Sequence, residues 1–191
     1  MYKIKTAQES EIENLIALIA LAFSSDPFNR WALKDPKDYI TLFPFFARAF
    51  GGNAIKRSTA FYIDGYAGAA LWMPPSVEPD FETLTDLVEK NIPSEIKPDL
   101  FSIFEQMGEA HPSEPCWYLP MLGVDPVRQN QGLGSALLNH GLAQIDEQGG
   151  MAYLEASSLR SVPLYERHGF KVIGEIQSGS SPIMYPMIRK P

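Results

Sequence analysis

Apolar positions along the first third of the chain change period twice. "YKIKTA", beginning at Tyr2, alternates as a strand does, and Ile12, Leu15, Ile16, Ile19 and Phe23 then fall on one stripe of the helical segment "EIENLIALIALAF". Ser10 and Glu13 stand three apart and predict a capping box that opens this helix. "SSDPFNRWALKDPKDY" mixes turn residues with aromatics and predicts a surface excursion near a site. It leads into "ITLFPFFARAF", a predicted helix that tolerates Pro44. "TAFYID" and "YAGAALWM" read as strands joined through Asp64-Gly65, a strong hairpin signal. After "PPSVEP", residues 80–110 carry two helical patterns with too few apolar positions for a core of their own. A single domain, 1–191, with a helical insertion at about 74–115 is the expected organisation.

From "CWYLPMLGVDP" onward the pattern becomes regular. A strand, a glycine turn, a helix to about Glu147, the strand "AYLEAS", a short helix "VPLYERHGF" and the strands "KVIGEIQ" and "IMYPMIR" follow in order. Strand-helix-strand crossovers are right-handed and set two strands parallel, whereas the Asp-Gly hairpin pairs its strands antiparallel. The expected fold class is α/β with a mixed sheet.

Composition narrows the function. At 191 residues, 45% hydrophobic and 12% aromatic, the chain can bury one substantial core. No basic start followed by an apolar run opens it, and no stretch approaches the roughly 20 apolar residues of a membrane span, so a soluble, cytoplasmic protein is expected. A net charge of −7 and a pI of about 5.0 count against a non-specific nucleic-acid binder. Cys116 stands alone and cannot close an internal disulfide. His111, His140 and His168 are too widely spaced for a familiar ligand set, and no metal is expected. No histidine stands at a recognisable spacing from Cys116, which therefore reads as a packed thiol rather than a nucleophile.

The segment "VRQNQGLGSALL", residues 127–138, sets Gly132 and Gly134 where a turn becomes an apolar helix. A helix N-terminus presents free N–H groups and partial positive charge, so a turn that gathers several N–H groups there holds phosphate without lysine. A nucleoside-triphosphate loop needs Gly-Lys-Ser/Thr, but Ser135 and Ala136 follow Gly134. A dinucleotide fingerprint needs a third glycine where Asn130 stands, and an early place in the chain. A helix that merely starts with two turn glycines is the plainer reading.

The neighbouring motifs go further. "EPCWYLPMLGVDPVRQNQGLGSALL" carries a Val-x-Pro strand end and a Gln-x-x-Gly-x-Gly loop, and "LEASSLRSVPLYERHGFKV" carries Tyr-Glu-Arg-x-Gly-Phe from Tyr165 to Phe170. In these residues the chain resembles the GNAT superfamily of acyl-CoA-dependent N-acetyltransferases, and within it the puromycin N-acetyltransferase-like relatives. The likeness is strong over residues 114–173 and poor between residues 37 and 110. Two positions where members carry asparagine, seven and four residues before the tyrosine, are Ser158 and Ser161 here.

The resemblance implies a mostly antiparallel sheet with a splayed parallel pair of central strands flanked by helices, and acetyl-CoA as acyl donor. Pro120 suits a bulged strand, since proline is tolerated where pairing is already interrupted. Pantetheine is expected against the backbone of Leu122, Gly123 and Val124, and pyrophosphate against Gln129, Asn130, Gln131, Gly132, Leu133, Gly134 and Ser135, with Ser158, Ser161 and Tyr165 completing the coenzyme site. The Leu122 N–H, taken to lie on the bulge, is the expected oxyanion donor, Tyr165 the acid and Glu155 the base or an amine ligand. His168 is expected to face elsewhere, and His111 and His140 to lie on the surface. Asp26, Phe28, Trp31, Trp72 and Tyr185 are the candidate acceptor contacts, an aromatic pocket with a carboxylate for a cationic amine. The implied partner is a small-molecule or peptide amine, not nucleic acid or membrane, and a homodimer is compatible. A non-catalytic acyl-CoA-binding or regulatory module on the same fold is the rival, and it gives no reason to keep Tyr165.

Overall fold

The strand Cys116–Val124 (β4) lies at the middle of a seven-stranded sheet and sets the frame for everything around it. The computed structural model describes residues 2–191. Before β4 come β1 (Ile4–Thr6), α1 (Ile12–Ala22), α2 (Pro27–Ala32), α3 (Pro36–Gly51), α4 (Asn53–Lys56), β2 (Ala60–Ile63), β3 (Gly68–Met73), α5 (Phe81–Asn91) and α6 (Lys97–Ala110). After it come α7 (Leu133–Glu147), β5 (Met151–Ala156), α8 (Val162–Glu166), β6 (Lys171–Val172) and β7 (Tyr185–Arg189). The strand order is β1-β2-β3-β4-β5-β7-β6, antiparallel throughout except for the parallel pair β4 and β5. No helix among the described residues is long and apolar enough to cross a membrane.

Helices cover both faces, so β3 is buried along its whole length and reads as a continuous apolar run. Leu71 and Met73 face a core shared with α1 and α3, where Leu15, Ile19 and Phe43 lie. Ala70 and Trp72 face the other core with Leu137, Leu138 and Leu142 of α7. Trp72 fits there because α7 carries Gly141, at which a Cβ would stand 2.2 Å from the indole Nε1. Trp72 is fully buried beneath α7 and is no part of an acceptor pocket, contrary to the expectation from its aromatic type. Val88 of α5 and Leu100 of α6 join the core of α1 and α3.

Several boundaries differ from the pattern for local reasons. The cap before α1 uses the Gln8 N–H, which donates to the Glu11 carboxylate at 2.9 Å, while Glu13 pairs with Arg48 at 2.6 Å. α3 starts at Pro36 rather than near Ile40, because the Asp35 carboxylate accepts from the Lys37 N–H at 2.8 Å and proline suits the first helical position. Pro44 inside α3 leaves the Ile40 carbonyl without its helical donor at a residue 71% exposed, where water can reach it. The β2–β3 turn needs left-handed backbone at Tyr66 as well as Gly65, with φ values of 52° and 75°. β6 stops at Val172, since the Ile173 N–H donates to Pro186, which has no N–H to return.

Candidate active site

The parallel strands separate early. β4 and β5 pair at Cys116↔Met151, Trp117↔Ala152 and Tyr118↔Tyr153, and beyond Tyr118 the strand stays paired to β3 alone. On the β3 side Leu71 faces Met121 and Met73 faces Tyr118, so one extra β4 residue is accommodated at Leu119–Pro120. The bulge therefore lies two residues before Leu122, which sits opposite Ala70 in regular register. Its position follows from Pro120, which has no N–H to give a ladder.

The gap between the strands runs into a groove. Leu122, Gly123 and Val124 form one wall of it. Gln129, Asn130, Gly132, Leu133, Gly134 and Ser135 curve round its end at the start of α7. Gln131 does not line the groove, and its carbonyl accepts from the Tyr2 hydroxyl instead. Asn130 and Gly132 adopt left-handed backbone, with φ of 61° and 80°. Ala136 makes the first backbone hydrogen bond of α7, to the Gly132 carbonyl at 3.0 Å, so the N–H groups of Leu133, Gly134 and Ser135 have no helical acceptor and suit an anion. Ser158 and Ser161 line the facing wall, where the Ser161 hydroxyl donates to the Ser158 carbonyl at 2.8 Å. Arg160 and Arg167 line it too, two cations that motif reading passed over.

Gly123 is glycine for a packing reason. A Cβ there would stand 2.8 Å from the Ala22 Cβ and 3.1 Å from Ile19 Cδ1, so α1 crosses β4 only over a bare backbone.

A second cavity, walled by apolar side chains, adjoins the groove. Phe23, Leu122, Ser157 and Tyr165 line both. Tyr165, 9% exposed, packs edge-on against Phe170 with centroids 6.0 Å apart, and burial, with the Asp26 carboxylate adding to it, raises its pKa. It stays a neutral proton donor. Glu155 faces the inner cavity and accepts from the Tyr118 hydroxyl at 2.7 Å. Burial pushes its pKa up to about 7, the Tyr118 bond offsetting part of that rise. Tyr118 was not singled out from sequence, although the signal existed. The expected parallel pairing and the two-residue period place Tyr118, Tyr153 and Glu155 on one face.

The remaining candidates divide. Asp26 lines the groove and caps α2, accepting from the Asn29 N–H at 2.9 Å and from the Ser157 hydroxyl. Burial raises its pKa, with those bonds acting against it. Phe28 lines the inner cavity. Trp31 lies behind Phe28, centroids 5.8 Å apart, and its indole N–H donates to the Ser180 hydroxyl at 3.2 Å. Tyr185 sits on β7 opposite Ala156 and packs into the α7 core rather than lining either cavity. A large apolar part of the inner wall comes instead from α3, α5 and α6, including Phe43, Phe46, Leu84 and Phe104, which no motif marked.

Cys116 has a neighbour that spacing did not reveal. His111 Nε2 lies 3.8 Å from its sulfur. The thiol is nonetheless buried, and that burial pushes its pKa up to about 11, so it is protonated at neutral pH and a poor nucleophile. The His168 ring bonds the Leu164 carbonyl at 2.8 Å, and the His140 ring packs edge-on to Phe61. Among the described residues no group of three or more His, Cys, Asp or Glu is placed to hold a metal.

Comparison with known proteins places this geometry. Residues 99–170 match the acetyltransferase (GNAT) family, a span that begins inside α6 and ends at Phe170. A mycothiol acetyltransferase of Salinispora tropica is 42% identical over 72 residues, which are 36% of this chain and 22% of that protein. The match therefore spans about a fifth of the relative's length. A crystal structure from Corynebacterium glutamicum described as histone acetyltransferase HPA2 and related acetyltransferase superposes with a TM-score of 0.70 at 25% identity, covering 100% of this chain and 97% of that one. The PaiA N-acetyltransferase of Thermoplasma acidophilum, solved with coenzyme A, superposes at 0.59 and 14% identity over 100% and 99% of the two chains. In the matched motif region and in the fold shared along its whole length, the chain is similar to members of the acetyltransferase (GNAT) family.

Proposed function

We propose that this protein transfers an acetyl group from acetyl-CoA to the nitrogen of a primary amine, directly and with both substrates bound. The observation that carries the reading is the junction. A groove ending at the free N–H groups of α7 and a cavity holding Glu155 share Leu122, Ser157 and Tyr165.

The residues fit the coenzyme. The N–H groups of Leu133, Gly134 and Ser135 suit its pyrophosphate, Arg160 and Arg167 add positive charge, and the backbone of β4 past Tyr118, no longer paired with β5, is open to an amide-bearing arm. When bound, acetyl-CoA supplies an acyl group activated as a thioester. Glu155, with a pKa near neutrality, is suited to take the proton the amine must lose. Tyr165 keeps its proton and gives it to the departing sulfur. The Leu122 N–H holds the oxygen on which charge develops. Cys116, a buried thiol, has no covalent part in this scheme.

A non-catalytic acyl-CoA-binding module would share the groove but has no use for Glu155 and Tyr165 on one cavity. Thiol release from acetyl-CoA with and without a panel of primary amines separates the two. Amine-dependent release is expected, and tight coenzyme binding without release by any amine would favour the module.

A further inference from the structure

The cavity that holds Glu155 is built almost wholly of carbon. Phe43 and Phe46 of α3, Leu84 of α5, and Leu100, Phe104 and Met107 of α6 close the side away from the groove. Among the described residues that line it, Glu155 alone is an acid or a base of the carboxylate, ammonium or guanidinium type. Asn29 and Ser157, two of its polar members, both donate to Asp26. One end therefore offers a carboxylate and the far wall offers apolar surface.

We infer that the acceptor is a primary monoamine with an aryl or branched-alkyl body, its nitrogen at Glu155 and its body against α5 and α6. The inference rests on the acetyl-transfer reading above and adds the chemical class of the amine. A diamine or polyamine of similar length carries its second ammonium into the wall of Leu84, Leu100 and Phe104, where no carboxylate meets it. An amino sugar brings hydroxyls to the same wall, each losing its water without gaining a partner. An apolar body loses nothing there and gains from leaving water.

The test uses the full chain, saturating acetyl-CoA and thiol release. 2-Phenylethylamine and 3-methylbutylamine are compared with putrescine, spermidine and glucosamine. The apolar monoamines are expected to exceed the others in kcat/KM by roughly 10²-fold or more. Equal or better turnover of a polyamine or of glucosamine overturns the monoamine assignment and leaves acetyl transfer standing. Release with none of the five overturns it too, and it is then the absence of release with every member of a wider amine panel that brings down acetyl transfer itself. A second arm places a carboxylate on the far wall. Leu84→Glu is expected to raise putrescine turnover relative to 2-phenylethylamine by roughly tenfold, since it supplies the missing counter-charge on the wall that the second ammonium would meet. An unchanged ratio in a variant that retains its circular dichroism and acetyl-CoA affinity overturns the placement of the amine body, and the wild-type comparison stands without this variant.

Discussion

Two residues test the proposed chemistry in separable ways. Tyr165→Phe keeps the ring against Phe170 and removes one hydroxyl, so acetyl-CoA affinity should hold while turnover falls roughly 10²- to 10⁴-fold. Turnover at saturating amine and calorimetry with acetyl-CoA read the two effects. A variant within about threefold of wild type removes Tyr165 from the proton path, provided that product release is not limiting. The coenzyme side is best probed at Gly134 rather than Gly132. Gly132 has φ of 80°, so any side chain there strains the backbone, whereas a Cβ at Gly134 makes ordinary contacts with Leu164 Cδ2 at 3.4 Å and Val124 Cγ2 at 3.9 Å. Gly134→Val should therefore leave the melting temperature nearly unchanged and weaken acetyl-CoA at least tenfold, in the range of a lost charge-assisted hydrogen bond. Normal affinity would remove the pyrophosphate from this turn. The glycine turn and Tyr165 were legible in the sequence because backbone conformation and side-chain chemistry are local properties. The Glu155–Tyr118 bond and the His111–Cys116 contact join residues on different elements, and no spacing along the chain records them.

Elements show a sharper division. The order of strands and helices from β4 to β7 follows the periodicity closely, since each alternation reports one buried face. Termini follow it less well, because they are decided by single hydrogen bonds such as that of Asp35 at α3 or by the missing donor of Pro186 beside β6. The wall of the inner cavity was not legible. Its apolar residues on α3, α5 and α6 look like any core, and only packing distinguishes Phe104, which lines a cavity, from Trp72, which fills the notch at Gly141. The crossing of α1 over β4 gives an element-level prediction. Gly123→Ala places a methyl 2.8 Å from the Ala22 Cβ, and overpacking of this kind costs about 1–3 kcal/mol. Urea unfolding should show that loss without a change in slope. An unaltered midpoint would mean that α1 shifts freely.

For the whole molecule, the site leaves a mark on stability. An unfolded chain releases the Glu155 proton near 4.5, and the folded protein near 7. Between these values the native state holds the extra proton, so the contribution is fully present below about pH 4.5 and is lost as pH rises through 7. Glu155→Gln cannot titrate. Its melting temperature should therefore fall less than that of wild type between pH 5 and 8, and parallel curves would show that burial does not hold this carboxyl neutral.

The early parting of β4 from β5 makes the sheet two plates. One plate runs from β1 to β4 and the other holds β5, β7 and β6, and three residue pairs form the seam between them. A ligand lying in the opening bonds to one plate and packs on the other, so it acts as a rivet as well as a reactant. Whatever binds there and not to the unfolded chain raises global stability by mass action, about 2.7 kcal/mol at a hundredfold excess over Kd. Exchange of the amide protons flanking the seam should slow with it, and a melting curve then weighs any candidate donor without needing its acceptor.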